Sequence, residues 1–333
     1  MSGLPNLVLQ QTGLSLAFGS LWRPQLNTGT LGGRMIGEAG SVKRDFDAAI
    51  ASSALAGHRT YLLSLLRPAI WILRTTEPPK PGQSKFGGWP DLPLDCEWPS
   101  HSGGPHEFIA QFNFVEMPAA QHGLPPDGIL FLFAATTPIE HISWQDPGYI
   151  YGLYCPAGTT LIARPPPPRS AAQLDEQRLC DEIVRESKER HAKEVALGLR
   201  WPDEPEDDVP VEQRQFGVRF LPGLDLPHSI EQRQDWPVRT REESWTFLAD
   251  LHEIWRCIQT DAPTLGGDHF LGYPGQSSLA YDPTPNADWA PFLCLSSHDE
   301  LGWCWHDGDY LHVFVRPVDL ARGNFASLAS DAG

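Results

Sequence analysis

The chain lacks most of the signatures that announce a reaction. Its six cysteines, Cys96, Cys155, Cys180, Cys257, Cys294 and Cys304, form no C-x-x-C pair. Structural zinc sites are built from closely spaced ligand pairs that recur, so no metal is expected, and no cofactor. Six thiols in 333 residues, with no basic leader before them, read as reduced. G-x-S-x-G is missing, which excludes the nucleophile elbow of the α/β-hydrolases. Neither G-x-x-x-x-G-K-[ST] nor a G-x-G-x-x-G after a strand occurs, which excludes the common phosphate loops. Bases are scarce: 25 Lys and Arg stand against 42 Asp and Glu, for a net charge of −17. Nucleic-acid backbones and anionic membranes reward cations, so neither is the expected partner. No apolar run is long enough to span a bilayer. The apolar stretch at 14–21 has no basic residue before it, Arg23 being the first, so it does not read as a signal peptide. Together these absences point to the cytoplasm.

What the chain does have is apolar content of 41% and 12 tryptophans, enough for a large core. Its 32 prolines favour short strands and loops over a helical bundle. The stretch Ser84-Lys85-Phe86-Gly87-Gly88-Trp89-Pro90-Asp91-Leu92-Pro93 stands out, and its core F-x-G-aromatic-P returns as Phe270-Leu271-Gly272-Tyr273-Pro274. Apolar runs open at Phe108 and Phe292, 22 residues after Phe86 and Phe270 alike. Asp127-Gly128 and Asp307-Gly308 each precede a further β-like run. The pattern predicts an α+β fold: internally duplicated, largely antiparallel β-sheet units with flanking helices. Residues 1–40 form an N-terminal arm, 41–164 a first half, 165–240 a helical and acidic insert and 241–333 a second half.

Local patterns fill in this outline. Val42, Phe46, Ala49 and Ile50 fall on one helical face. A buried strand is expected at 69–73, a partly alternating one at 108–114 and another at 129–134, with weaker ones at 149–153 and 160–163. Four prolines end at Pro168, and Ser170 is placed to cap a charged helix running to about residue 199. An acidic run follows at 203–208. Thr240 and Glu243 form a capping box before an amphipathic helix to about residue 258. A hairpin is expected between 301–305 and 310–316, turned at Asp307-Gly308.

Several constellations bear on chemistry. Cys304 and His306 are two apart, and Cys294, His298, His269 and His312 lie in the same segment, but the recurring spacing of a zinc site is absent. Glu242-Glu243 sits among bases on a predicted helix and reads as a solvated face. The remaining candidates are the polar and aromatic residues of the repeated unit. These are Lys85, Trp89, Gln111 and Asn113 in the first copy, and Gln276, Trp305, His306 and Asp307 in the second. A buried Gln111 must find hydrogen-bond partners. Such residues either satisfy loop backbone groups or line a groove where two related loops face each other.

These motifs resemble the YwqG-like family of uncharacterised bacterial proteins. The likeness runs through S-K-F-G-G-W-P-D-L-P, Trp98-Pro99, F-I-A-Q-F-N-F and L-P-x-D-G-I-L-F-L-F. It resumes with F-L-G-Y-P-G-Q and W-H-D-G-D-Y-L-H-V-F-V, so that it covers about residues 68–164 and 241–325. The resemblance implies an α+β fold in two similar halves, with no catalytic residue to carry over. It also implies interaction or immunity roles, because family members occur beside toxins and their antidotes. The expected function is a non-enzymatic cytoplasmic binding protein, with neutralisation of a basic protein toxin as its most concrete form. The alternative is an enzyme or small-ligand binder with its site between the two halves.

Overall fold

The computed structural model describes residues 39–118, 123–135, 143–199, 209–210, 213–227, 237, 240–258, 267–275 and 283–333. All but the end of the expected arm, the acidic run at 203–208 and Gln276 lie outside the described residues. In chain order the described strands are β1 (Arg67–Arg74), β2 (Lys85–Gly87), β3 (Asp91–Pro93), β4 (Ser100–His101), β5 (Gly104–Pro105), β6 (Glu107–Asn113) and β7 (Ile129–Ala134). They continue with β8 (Ile150–Cys155), β9 (Leu161–Ala163), β10 (Gln215–Asp225), β11 (His269–Leu271), β12 (Ala290–Ser296), β13 (Tyr310–Val315) and β14 (Ala329–Ala332). The helices are α1 (Ala39–Ala51), α2 (Arg59–Ser64), α3 (Ala171–Ala196), α4 (Arg241–Ile258) and α5 (Pro317–Leu320).

Ten strands join in one antiparallel sheet, in the order β14-β13-β12-β11-β1-β10-β2-β6-β7-β8. Its spine is β1 against β10, in register from Arg67 opposite Asp225 to Arg74 opposite Val218. The stretch 165–240, expected as a helical and acidic insert, therefore also supplies a central strand. Gly217, Pro222 and Gly223 hid β10 from a reading by pattern, and the structure gives each a place. A Cβ on Gly217 would meet the Thr75 hydroxyl at 2.6 Å, and one on Gly223 would meet the Trp71 indole nitrogen at 2.3 Å. Pro222 lies beyond Gln215–Gly217, where the pairing with β2 has ended, so its missing N–H is tolerated.

Two wings of like order extend from this spine: β2-β6-β7-β8 on one side and β11-β12-β13-β14 on the other. Phe86 pairs with Ala110 and Phe270 with Leu293. Each wing carries one bulge, between Phe108 and Ala110 in β6 and between Pro291 and Leu293 in β12. The residues at matching places are thus Ala110 and Leu293, not the Phe108 and Phe292 that equal spacing suggests.

The sheet curls until its ends meet. Ser330 Oγ donates to the Trp144 carbonyl, and Gln145 Nε2 donates to Asp331 Oδ1 at 3.1 Å. The Gly152 N–H, in β8, donates to the Phe325 carbonyl at 3.0 Å. The sheet is nearly closed into a barrel around an aromatic core, in which Phe112 of one wing meets Phe270 of the other edge-on at 4.8 Å. β7 is buried on both faces. Leu130 and Leu132 enter this core, while Phe131 and Phe133 enter a second one with Leu92 and Cys155, under the β3–β9 ribbon. That double burial explains why β7 reads as an unbroken apolar run. A third core gathers Phe46 and Ile50 of α1 with Leu251 and Trp255 of α4.

The helices begin as expected. Ser170 and Gln173 form a capping box for α3, and Thr240 and Glu243 exchange hydrogen bonds ahead of α4. The predicted hairpin of 301–305 with 310–316 does not form. β13 pairs instead with β12, and Asp299–Leu301 is a 3-10 turn. Trp303 and Trp305 are buried, so the alternation at 301–305 marks a loop tucked into the core rather than a strand.

Candidate functional site

β2 places Lys85 opposite Gln111 of β6. Gly87 and Gly88 then both adopt φ of +68°, two left-handed residues in succession. A side chain is disfavoured there, and a Cβ on Gly87 would lie 2.4 Å from the Arg214 carbonyl oxygen. This turn brings the chain back over Lys85. The ammonium donates to the Trp89 carbonyl at 2.6 Å and lies 3.8 Å from Asp91 Oδ2. Asp91 Oδ2 also accepts from the Gly82 N–H at 2.9 Å and from Gln111 Nε2 at 2.8 Å. Gln111 Oε1 accepts from the Asp91 N–H, and its amide nitrogen donates to the Gln83 carbonyl at 2.7 Å. Asn113 donates to the Gly82 carbonyl and accepts from the Val115 N–H. Lys85, Asp91 and Gln111 are all buried. Burial pushes the Lys85 pKa down, against the opposing pull of the Asp91 carboxylate.

Two pockets open on this wing. One, of about 220 Å³, is lined by Lys85, Gly88, Trp89, Ala163, Gln213 and Gln215. The other, of about 230 Å³, lies among Asn113, Val115, Ile129, Pro156 and Leu161.

The second wing repeats parts of this geometry with other residues. Leu271 and Gly272 have φ of +63° and +67°. His269 Nε2 lies 2.9 Å from the Tyr273 carbonyl oxygen and 3.9 Å from Asp225 Oδ2. Asp225 accepts from the N–H groups of Tyr273 and Leu226. Cys294 stands opposite His269, its Sγ 3.7 Å from His312 Nδ1. Burial pushes the Cys294 thiol well up, and that of Cys155 up to about 11. A thiol so raised is a poor nucleophile at neutral pH. Among the described residues, no group of three or more His, Cys, Asp and Glu is arranged to hold a metal ion.

The structure thus gathers Lys85, Trp89, Gln111 and Asn113 on the first wing. Trp305, His306 and Asp307 form the tip turn between β12 and β13. Trp305 is buried, and its indole N–H donates to the Ser296 carbonyl. His306 has φ of +50°, with Nδ1 3.4 Å from Asp309 Oδ2, and Asp307 is exposed. The sequence pattern does not single out Asp91 or Asp225, and it brings His269 and Cys294 forward only as metal-ligand candidates. A usable signal existed, because Ser84-Lys85 and Asp268-His269 hold the same place before the repeated phenylalanine. Some partners are local, as Trp89 and Asp91 are to Lys85, but Gln111 and Asp225 come from distant strands.

Residues 84–331 match the model of a domain of unknown function, DUF1963. No curated protein matches the chain.

Proposed function

The chain belongs to the DUF1963 family, a domain of unknown function, and from its own residues we propose that it is a non-enzymatic binding protein for a basic protein partner. The observation that carries this is the outer surface of the first wing. The signature lysine is turned inward as a clamp, while Trp89, Val115 and Ile162 remain exposed. Exposed aromatic and aliphatic side chains with an acidic surround favour a protein ligand of opposite charge. The YwqG-like resemblance supports the most concrete form, an immunity protein that neutralises a bacterial toxin in the cytoplasm. The test is co-expression with the product of the neighbouring gene. A toxic neighbour, silenced in a stoichiometric complex, supports the reading; silencing without a complex sinks it.

One observation favours a second reading. The pocket lined by Lys85, of about 220 Å³, is smaller than the roughly 300–1,000 Å³ typical of ligand sites and leaves room only for a very small ligand. Native mass spectrometry of the purified chain decides: a retained metabolite displaced by Lys85→Met supports this rival, and a bare chain removes it.

We also propose that the two wings are copies of one unit, with their leading strands exchanged at the spine. Support comes from the matching strand orders, the paired bulges, the successive left-handed residues and the two buried clamps, Lys85–Trp89–Asp91 and His269–Tyr273–Asp225. On this reading a lysine is accepted in the second clamp. His269→Lys should fold and melt within a few degrees of the parent, whereas loss of cooperative unfolding would count against the copies.

A further inference from the structure

Resting on the reading of the chain as a partner-binding protein, we propose that β9 is the docking edge, which takes an extended basic segment of the partner as a third strand on the β3–β9 ribbon. The ribbon has two strands, with Asp91 opposite Ala163 and Pro93 opposite Leu161. Among the described strands β9 pairs with β3 alone, and Ile162 and Ala163 are exposed. An edge of this kind presents backbone donors and acceptors to an added strand. It is also short: residues 165–168 are all proline, so the segment it accepts is only a few residues long.

The pockets give the side-chain register. Leu161 lines one and Ala163 lines the other. Two residues along a strand advance about 6.6 Å, the same as the advance between alternate side chains of an added strand. Side chains two apart on the partner therefore reach both pockets. The first, walled by Val115, Ile129, Pro156 and Leu161, suits an apolar side chain. The second offers the Trp89 indole and the amides of Gln213 and Gln215, and the Lys85 that also lines it has its ammonium engaged by the Trp89 carbonyl and Asp91. A guanidinium or ammonium stacks on such an indole and hydrogen-bonds the amides.

Charge selects the same occupant. Asp95, Glu97 and Asp127 are exposed. Asp127 adjoins Gly128 of the first pocket, and Asp95 adds a small push to the burial that raises the Cys155 thiol there. The nearby Arg164 guanidinium is held by the carbonyls of Pro93 and Cys96. A second copy of this chain would set these acids against themselves, with −17 on each side, so a basic heterologous segment is the occupant that fits.

Selection of phage-displayed random octapeptides on the full chain tests this. The expected winners carry an apolar residue two positions from Arg or Lys, and a synthetic winner protects the amides of 161–163 from hydrogen exchange. Ala163→Arg and Val115→Arg, both at exposed positions, should weaken that peptide at least tenfold with the thermal melt unchanged. Winners that bind both variants as well as the parent, or that protect another segment, overturn the docking edge but leave the partner-binding reading standing. Absence of any shared motif also overturns the edge, while the co-expression experiment decides the broader reading independently.

Discussion

At Lys85 a cation and the Asp91 carboxylate have both left water, and the cost of moving them is offset by hydrogen bonds to Trp89, Gly82 and Gln111. Removing one member leaves the other charge buried without its counter-charge. Lys85→Met should therefore cost about 3–5 kcal/mol in urea unfolding. Adding Asp91→Asn, which removes the charge and keeps an acceptor, should recover much of that loss; a single mutant within about 0.5 kcal/mol of the parent would refute the clamp. The Cys155 thiol makes a pH prediction. Its pKa is raised from 9.0 to about 11 by burial. Above pH 9 the unfolded chain loses this proton first, so the folded state holds more protons and stability falls as pH rises toward 11. Cys155→Ala should flatten the alkaline limb of the stability curve between those values, and an identical slope in parent and variant would show that the thiol does not contribute.

At the scale of elements, closure of the sheet depends on one close approach. A Cβ on Gly152 of β8 would lie 2.6 Å from Phe325 Cβ and 2.8 Å from its carbonyl oxygen. Backbone cannot move aside as a long side chain does, so Gly152→Ala should destabilise by about 1–3 kcal/mol and speed amide exchange in β14. Gly57, with nothing within 4 Å of its Cβ position, is the control and should be nearly neutral. If both variants behave alike, the sheet ends are not held at this point. The elements themselves were largely readable. α1 and α4 carry a helical period, α3 carries its cap, and β7 is too apolar to be anything but buried. β10 was not readable, because its glycines and proline are chosen by Thr75, Trp71 and an open edge that no local window contains.

For the whole molecule, a net charge of −17 means that folding concentrates like charges. Salt screens that repulsion over a Debye length of about 10 Å at 0.1 M. The melting temperature should rise as sodium chloride goes from about 10 to about 150 mM, where the Debye length reaches about 8 Å. A fall over that range would mean that attractive ion pairs, such as Arg59–Asp47 or Arg74–Glu300, outweigh the net repulsion.

The sequence by itself determined most kinds of element, β10 and the loop at 301–305 apart, together with the glycine turn after Phe86 and the acidic net charge. Each of these is set by a residue and its near neighbours: period, cap, left-handed backbone, charge. Only the tertiary structure decided which strands meet. Lys85 acquires its meaning from Asp91 across a turn and Gln111 across a strand pair, and His269 from Asp225, which belongs to another strand. β1 lies beside β10 although some 140 residues separate them. Strand pairing is settled by burial on both faces and by closure of long loops, and neither leaves a mark in a local window. The same holds for β9, which pairs with β3 alone among the described strands.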